Sequence, residues 1–157
     1  MRRRNRIYTD TSVFGGIADR EFSTVSRRFF EEVRRGKHLL IVSEISAREL
    51  QDAPLVVRRF VAGLPEDAIE NLAFTNEMAD LRDAYLSAKI LGRRWSDDAA
   101  HVAAATVTGA DLIVSWNFKH LVKWEKIRAF NAVNLAHGYP LMTILSPREV
   151  IADEEIL

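Results

Sequence analysis

His38 to Val42 reads His-Leu-Leu-Ile-Val, an apolar run with none of the period-two alternation of a strand wetted on one face. Such a strand has to be covered on both sides, and the covering elements are found along the same chain. Leu112 to Ser115 and Leu141 to Leu145 repeat the pattern, Asn5 to Thr9 gives a short strand, and Ile69 to Phe74 a weaker one. Helical stretches fall between them. Val25, Phe29, Phe30 and Val33 share one side of a helix that Ser23 or Thr24 caps and Gly36 stops. Ile45 to Leu50 opens a second helix, limited by Pro54, and Leu55 to Ala62 forms a third, before the breaker Gly63-Leu64-Pro65.

Met78, Leu81, Tyr85, Ala88 and Leu91 recur every three or four residues, which predicts a helix over Asn76 to Leu91 with Gly92 as its stop. Ser96 is expected to cap a further helix, Asp97 to Thr108, closed by Gly109. A helical stretch surrounds His120 to Phe130, and Ser146-Pro147-Arg148-Glu149 has the form of a capping box with proline at the first helical position. Gly15-Gly16 is read as a break. Strands alternating with helices predict an α/β domain of three layers, α/β/α, around a central, mostly parallel sheet. No repeat, low-complexity tract or linker divides the chain, so residues 1–157 are read as a single domain.

Several function classes are excluded by composition. There is no cysteine, hence no disulfide framework and no Cys-ligated zinc, which fits a reducing cytoplasm. The start, MRRRNRIYTD, lacks the apolar segment of a signal peptide, and Ala99 to Val107 is too short to span a bilayer. A soluble, cytoplasmic protein is expected. The 22 basic and 22 acidic residues cancel, which argues against indiscriminate polyanion binding. The arginines are nevertheless bunched, at Arg2-Arg3-Arg4, Arg27-Arg28, Arg34-Arg35, Arg58-Arg59 and Arg93-Arg94. Each group is either a solvated helix face or a phosphate ligand.

Ligands of an open parallel sheet sit beyond the carboxyl ends of its strands. Asp10 directly follows the first strand, Glu49 lies in the helix after His38 to Val42, Asp98 opens the Ser96 helix, and Asn117 follows Leu112 to Ser115 by two residues. Oxygen donors gathered on one edge suit a hard cation such as Mg²⁺ or Mn²⁺, which can polarise a phosphodiester and activate water. No Ser-His-Asp elbow, Gly-rich phosphate loop or zinc spacing competes. Each residue also has a plainer role: Asp10 and Asn117 in turns, Glu49 on a solvated helix face, Asp97 or Asp98 complementing a helix dipole. His101 lies one turn after Asp98, either touching the site or packed within the helix. His38, His120 and His137 show no metal spacing. Among the tryptophans, Trp95 and Trp124 are read as core or helix-packing residues, and Trp116 as the one placed to stack on a base.

The segments Ile7 to Gly16, Ser43 to Asp52, Ser96 to Leu121 and Leu141 to Ile151 together resemble the PIN-domain family, the fold of VapC-type toxin ribonucleases. Their order and spacing cover nearly the whole chain, and Ser96 to Leu121 is the most specific. The resemblance implies a metal-dependent endoribonuclease, the toxin of a type II toxin–antitoxin pair. Asp10, Glu49 and Asp98 would be its metal-binding acids, with Asp97 as the fallback for Asp98. Asn117 stands where family members often place a further aspartate, and a neutral ligand there lowers the charge of the site. The resemblance also implies a homodimer and a small antitoxin partner, for which the helices between Leu55 and Leu91 offer a surface. Two other functions stay open. One is a PIN-like module that binds RNA or protein without cutting. The other is a receiver-like phosphoacceptor using Lys119, which lacks the early acidic pair such domains carry.

Overall fold

The structure is a computed structural model that describes residues 3–151, so Arg2 of the basic start lies outside the described residues. Strand β1 (Asn5–Thr9) is followed by helices α1 (Thr11–Gly16) and α2 (Ser23–Arg34). Next come β2 (His38–Ser43), α3 (Glu44–Gln51), α4 (Leu55–Ala62), β3 (Ile69–Leu72) and α5 (Asn76–Ser87). The chain continues through α6 (Ser96–Thr108), β4 (Leu112–Val114), α7 (Trp124–Ala136), β5 (Ile144–Leu145) and α8 (Pro147–Val150). The five strands form one sheet in the order β3-β2-β1-β4-β5, and every adjacent pair is parallel.

Alternate residues of each strand enter two separate cores. Tyr8, Ile41, Ile113 and Ile144 pack with α5, α6 and α7 on one face. Ile7, Leu40, Val42 and Val114 pack with α1 to α4 and α8 on the other. Both faces are apolar, which is why the strand sequences show no alternation. The alanines of α6, from Ala99 to Ala105, are buried, and their small side chains seat the helix close to the sheet. At the amino end of the sheet, Arg6 bonds both carboxylate oxygens of Glu70 and the carbonyls of Thr108 and Gly109. This ties β1 and β3 to the last turn of α6. No helix among the described residues is long and apolar enough to cross a membrane.

The expected three-layer architecture is thus present, with local corrections. Gly15-Gly16 is the end of a helix rather than a break. A Cβ on Gly16 would lie 2.4 Å from Ser26 Oγ and 2.9 Å from Trp116 Nε1, so glycine is there for close approach. Neither Ser23 nor Thr24 caps α2; Asp19 Oδ1 accepts from the backbone N–H groups of Glu21 and Phe22 ahead of it. Ser96 likewise lies inside α6, because a 3₁₀ turn, Arg93–Trp95, leads directly into the helix. Helix α5 ends at Ser87, before Gly92, with Lys89 in the left-handed region (φ 59°). The capping box at Ser146 forms as expected.

Candidate active site at the carboxyl edge of the sheet

Asp10 leaves β1 at the centre of the sheet and is buried. Its Oδ2 accepts from Ser12 Oγ and Ser115 Oγ, both at 2.7 Å, and no turn backbone bonds its carboxylate. Ser115 follows β4 and Ser12 belongs to α1, so the two strand ends and the first helix jointly fix the carboxylate. Ser12 Oγ also accepts from the backbone N–H of Trp116. Glu49, on α3, is half-buried; its Oε1 accepts from Thr11 Oγ1 (3.0 Å) and lies 2.6 Å from His101 Nε2. His101 Nε2 also lies 3.7 Å from Asp10 Oδ1. One imidazole therefore joins Asp10 and Glu49.

On the neighbouring wall, Asp98 Oδ2 is 2.7 Å from His120 Nδ1 and accepts from Asn117 Nδ2 at 3.2 Å. Asn117 Oδ1 accepts from the backbone N–H of His120, which fixes the amide orientation because a flipped NH₂ would face that donor. Asn117 thus serves as a turn residue and at the same time holds Asp98. Glu49, Asp98, Asn117 and His120 line a single cleft of about 450 Å³. Asp97 is exposed, and both its oxygens accept from Arg48. Of the two adjacent aspartates, Asp98 is the one held at the site.

A scan against protein-family models matches none, and no curated protein is similar to the chain in sequence. Among solved structures, the chain is similar to a crystal structure of VapBC2 from Rickettsia felis bound to a DNA fragment from their promoter. The TM-score is 0.58 at 14% identity, over 90% of this chain and 98% of that chain. The fold is PIN-like. At that identity the likeness concerns the path of the chain, and any chemistry has to be argued from the side chains.

In this PIN-like sheet the oxygen-bearing residues form two pairs, the acids Asp10 and Glu49 and the acid Asp98 with the amide Asn117. Among the described residues no three His, Cys, Asp or Glu side chains are gathered as a ready metal cage. Instead Asp10 and Glu49 share His101, and Asp98 is engaged by His120. The donor set is nevertheless all oxygen, and Mg²⁺ commonly takes only one or two carboxylates while retaining several waters. Asp10 Oδ1 and Glu49 Oε2 accept no hydrogen bond from any described residue. Residues of this chemistry fit a hard cation.

His101 is fully buried, which disfavours its charged form. The oxygen of Tyr8, the hydrogen bond to Glu49 and the charges of Asp10 and Glu49 outweigh that, and hold its pKa well above the ordinary histidine range. As an imidazolium it donates from Nδ1 to Tyr8 and from Nε2 to Glu49. Tyr8 OH in turn lies 2.6 Å from Ser43 Oγ. Burial raises the Glu49 pKa, but the bond and charge of His101, the bond from Thr11 and the charge of Arg48 bring it below the usual carboxylate value.

Sequence reasoning places the four oxygen-bearing residues at one edge but leaves their partners unread. Ser12 and Ser115 adjoin predicted strand ends, which was the available signal. His120 stands three residues after Asn117, the spacing at which a capping side chain accepts from the backbone. Two of the tryptophans exchange roles. Trp116 is only 6% exposed, its indole N–H donates to Ser26 and its ring stacks on Phe22, so it is closed to a base. Trp124 is 68% exposed, whereas Trp95 packs against the core as expected and also lines the cleft.

Proposed function

We propose that this chain is a Mg²⁺- or Mn²⁺-dependent endoribonuclease, acting as the toxin of a type II toxin–antitoxin pair. The observation that carries the reading is the placement of four oxygen-bearing residues at the carboxyl edge of the central strands: Glu49, Asp98 and Asn117 line one cleft, and Asp10 is joined to Glu49 through His101. These residues come from four distant parts of the chain, and a purely structural role would not require them at the same place. Asp10, Glu49 and Asp98 would hold the cation. When bound, it supplies the polarisation of a phosphodiester and the activation of water. The rest falls to the chain's own groups. Ser12 and Ser115 orient Asp10, Thr11 orients Glu49, and His120 with Asn117 orients Asp98. The imidazolium of His101 offsets the repulsion between Asp10 and Glu49.

The test is cleavage of a mixed RNA pool with Mn²⁺, with Mg²⁺ and with excess chelator, beside Asp98→Asn. Metal-dependent cutting is expected, falling by at least about a hundredfold in the variant, a loss of roughly 2.7 kcal/mol in transition-state stabilisation. Cutting that Asp98→Asn retains would remove the assignment. A second reading, a PIN-like module that binds without cutting, draws on Asn117: its oxygen is committed to the His120 backbone rather than to a ligand. Failure of the folded protein to cut under every condition would favour it. An antitoxin and a second copy of the chain are the proposed protein partners. Leu55 and Val56 of α4 are exposed in the region the sequence suggests for them.

A further inference from the structure

The acidic cleft has a basic wall. Arg94 Cζ lies 4.9 Å from the centroid of Trp95, and Lys119 Nζ lies 5.4 Å from it. His120 packs against the same indole, with ring centroids 4.6 Å apart. Both cations therefore rest on an aromatic ring, close in sequence to the acids: Trp95 is three residues before Asp98, and Lys119 is two after Asn117. Neither cation has a hydrogen bond or ion pair with any described residue, although Glu49, Asp97 and Asp98 line the same cleft. Arg6 and Arg48, by contrast, are tied to carboxylates. A second depression of about 390 Å³ shares Trp95, Lys119 and His120 with the cleft and adds Lys89, Lys123 and Lys126. Of these, Lys126 donates to the Ile90 carbonyl, whereas Lys89 and Lys123 are exposed and have no hydrogen bond or ion pair with a described residue.

We infer that Trp95, Arg94 and Lys119, continued by Lys89 and Lys123, form a clamp for the phosphodiester backbone of a polynucleotide running out of the cleft. The inference rests on the nuclease reading for its direction, since it places the bound phosphates on the Lys89 side of the cut. A π face holds a cation without neutralising it, so the charges are positioned yet available to an anion. Carboxylates on one wall and unpaired cations on the other suit a ligand that is anionic throughout and reacts at one phosphate. Contacts of this kind position a backbone and do not read its bases. The clamp accordingly predicts binding that is tolerant of sequence and steep in salt.

The experiment is fluorescence anisotropy of a labelled single-stranded oligoribonucleotide, and of DNA of the same sequence, in chelator across a salt series. The proteins are the unsubstituted chain, Arg94→Ala, Lys119→Ala and Arg128→Ala. Arg128 is the control, a cation resting on Trp124 of α7 and absent from the lining of either depression. Arg94→Ala and Lys119→Ala should each weaken binding several-fold on both strands. Each should also flatten the log–log salt slope by about 0.7, the single-strand value for one phosphate contact. Arg128→Ala should leave both unchanged. Trp95→Phe should keep most of the affinity, and Trp95→Ala should lose it with a melting transition still present. Affinity and slope unchanged in Arg94→Ala and Lys119→Ala would overturn the clamp, as would a loss confined to RNA or no binding by the unsubstituted chain at low salt. If Mn²⁺-dependent cutting fails while clamp-dependent binding holds, the nuclease reading falls alone. If cutting holds and the variants bind normally, the clamp falls alone.

Discussion

His101 is the residue on which the site's electrostatics turn. Tyr8, Asp10 and Glu49 all meet its ring, and it is the one cationic group shared by the three. Removing the imidazole takes one of two hydrogen-bond partners from the buried Tyr8 hydroxyl and leaves two carboxylates without a cation between them. His101→Ala should therefore lower the unfolding free energy by about 1–3 kcal/mol, the cost of unsatisfied buried polar groups. Urea denaturation at constant m-value checks it, and an unmoved midpoint would show that the chain Ser43–Tyr8–His101–Glu49 contributes nothing. From sequence alone a helix histidine surrounded by alanines reads equally well as packed. Its partners lie 93 and 52 positions away, so only the folded register identifies them. A separation of 22 positions likewise hides the bond between His120 and Asp98, whereas Asn117 was legible because its position after a strand is local.

At the scale of elements, α1 deserves a test of its own, since it carries Ser12 and Thr11 to the two carboxylates they orient. It is seated by Gly16, against Ser26 of α2 and the Trp116 indole. Gly16→Ala forces those side chains apart and should cost about 1–3 kcal/mol, in the range of overpacked cores. Its effect should also spread to cleavage, because α1 and Asp10 would shift together. A variant as stable and active as the unsubstituted chain would show that the contact yields freely. A Gly-Gly pair gives no sign of this from sequence, because glycine signals freedom and close approach with the same letter. Elements carried by bulk apolar patterning were legible: β1 and α4 appear with the boundaries their sequences suggest. Helix starts were less so, since the turn Arg93–Trp95 displaces Ser96 from its cap, and serine at one position or the next looks alike in a string.

For the whole molecule, stability and ligand binding share one ledger. A cation that binds only the assembled carboxyl edge stabilises the fold by mass action, by about 2.7 kcal/mol at a hundredfold excess over its Kd. Mn²⁺ should raise the Tm of the unsubstituted chain by several degrees and leave Asp10→Asn near its metal-free value. Equal shifts in both would place cation binding elsewhere. The three-layer arrangement was legible throughout because both faces of the sheet are apolar, a property of composition along each strand. Which side chains meet at its edge depends on strand order, β2 and β4 flanking β1, and no local pattern encodes that order.

The two-sided pairing of β1 has a consequence for quality control. Tyr8 and Asp10 stand two residues apart, hence on the same side of an extended strand. Tyr8 is buried against α6, where it reaches His101, and Asp10 follows it towards the same imidazole. A slip of β1 by one residue would turn both away and bring Ile7 and Thr9 round instead. The error that spoils the core would also dismantle the acid group. A misassembled copy would then lack the acids on which the proposed cleavage depends, and only molecules that have passed the folding test would be armed.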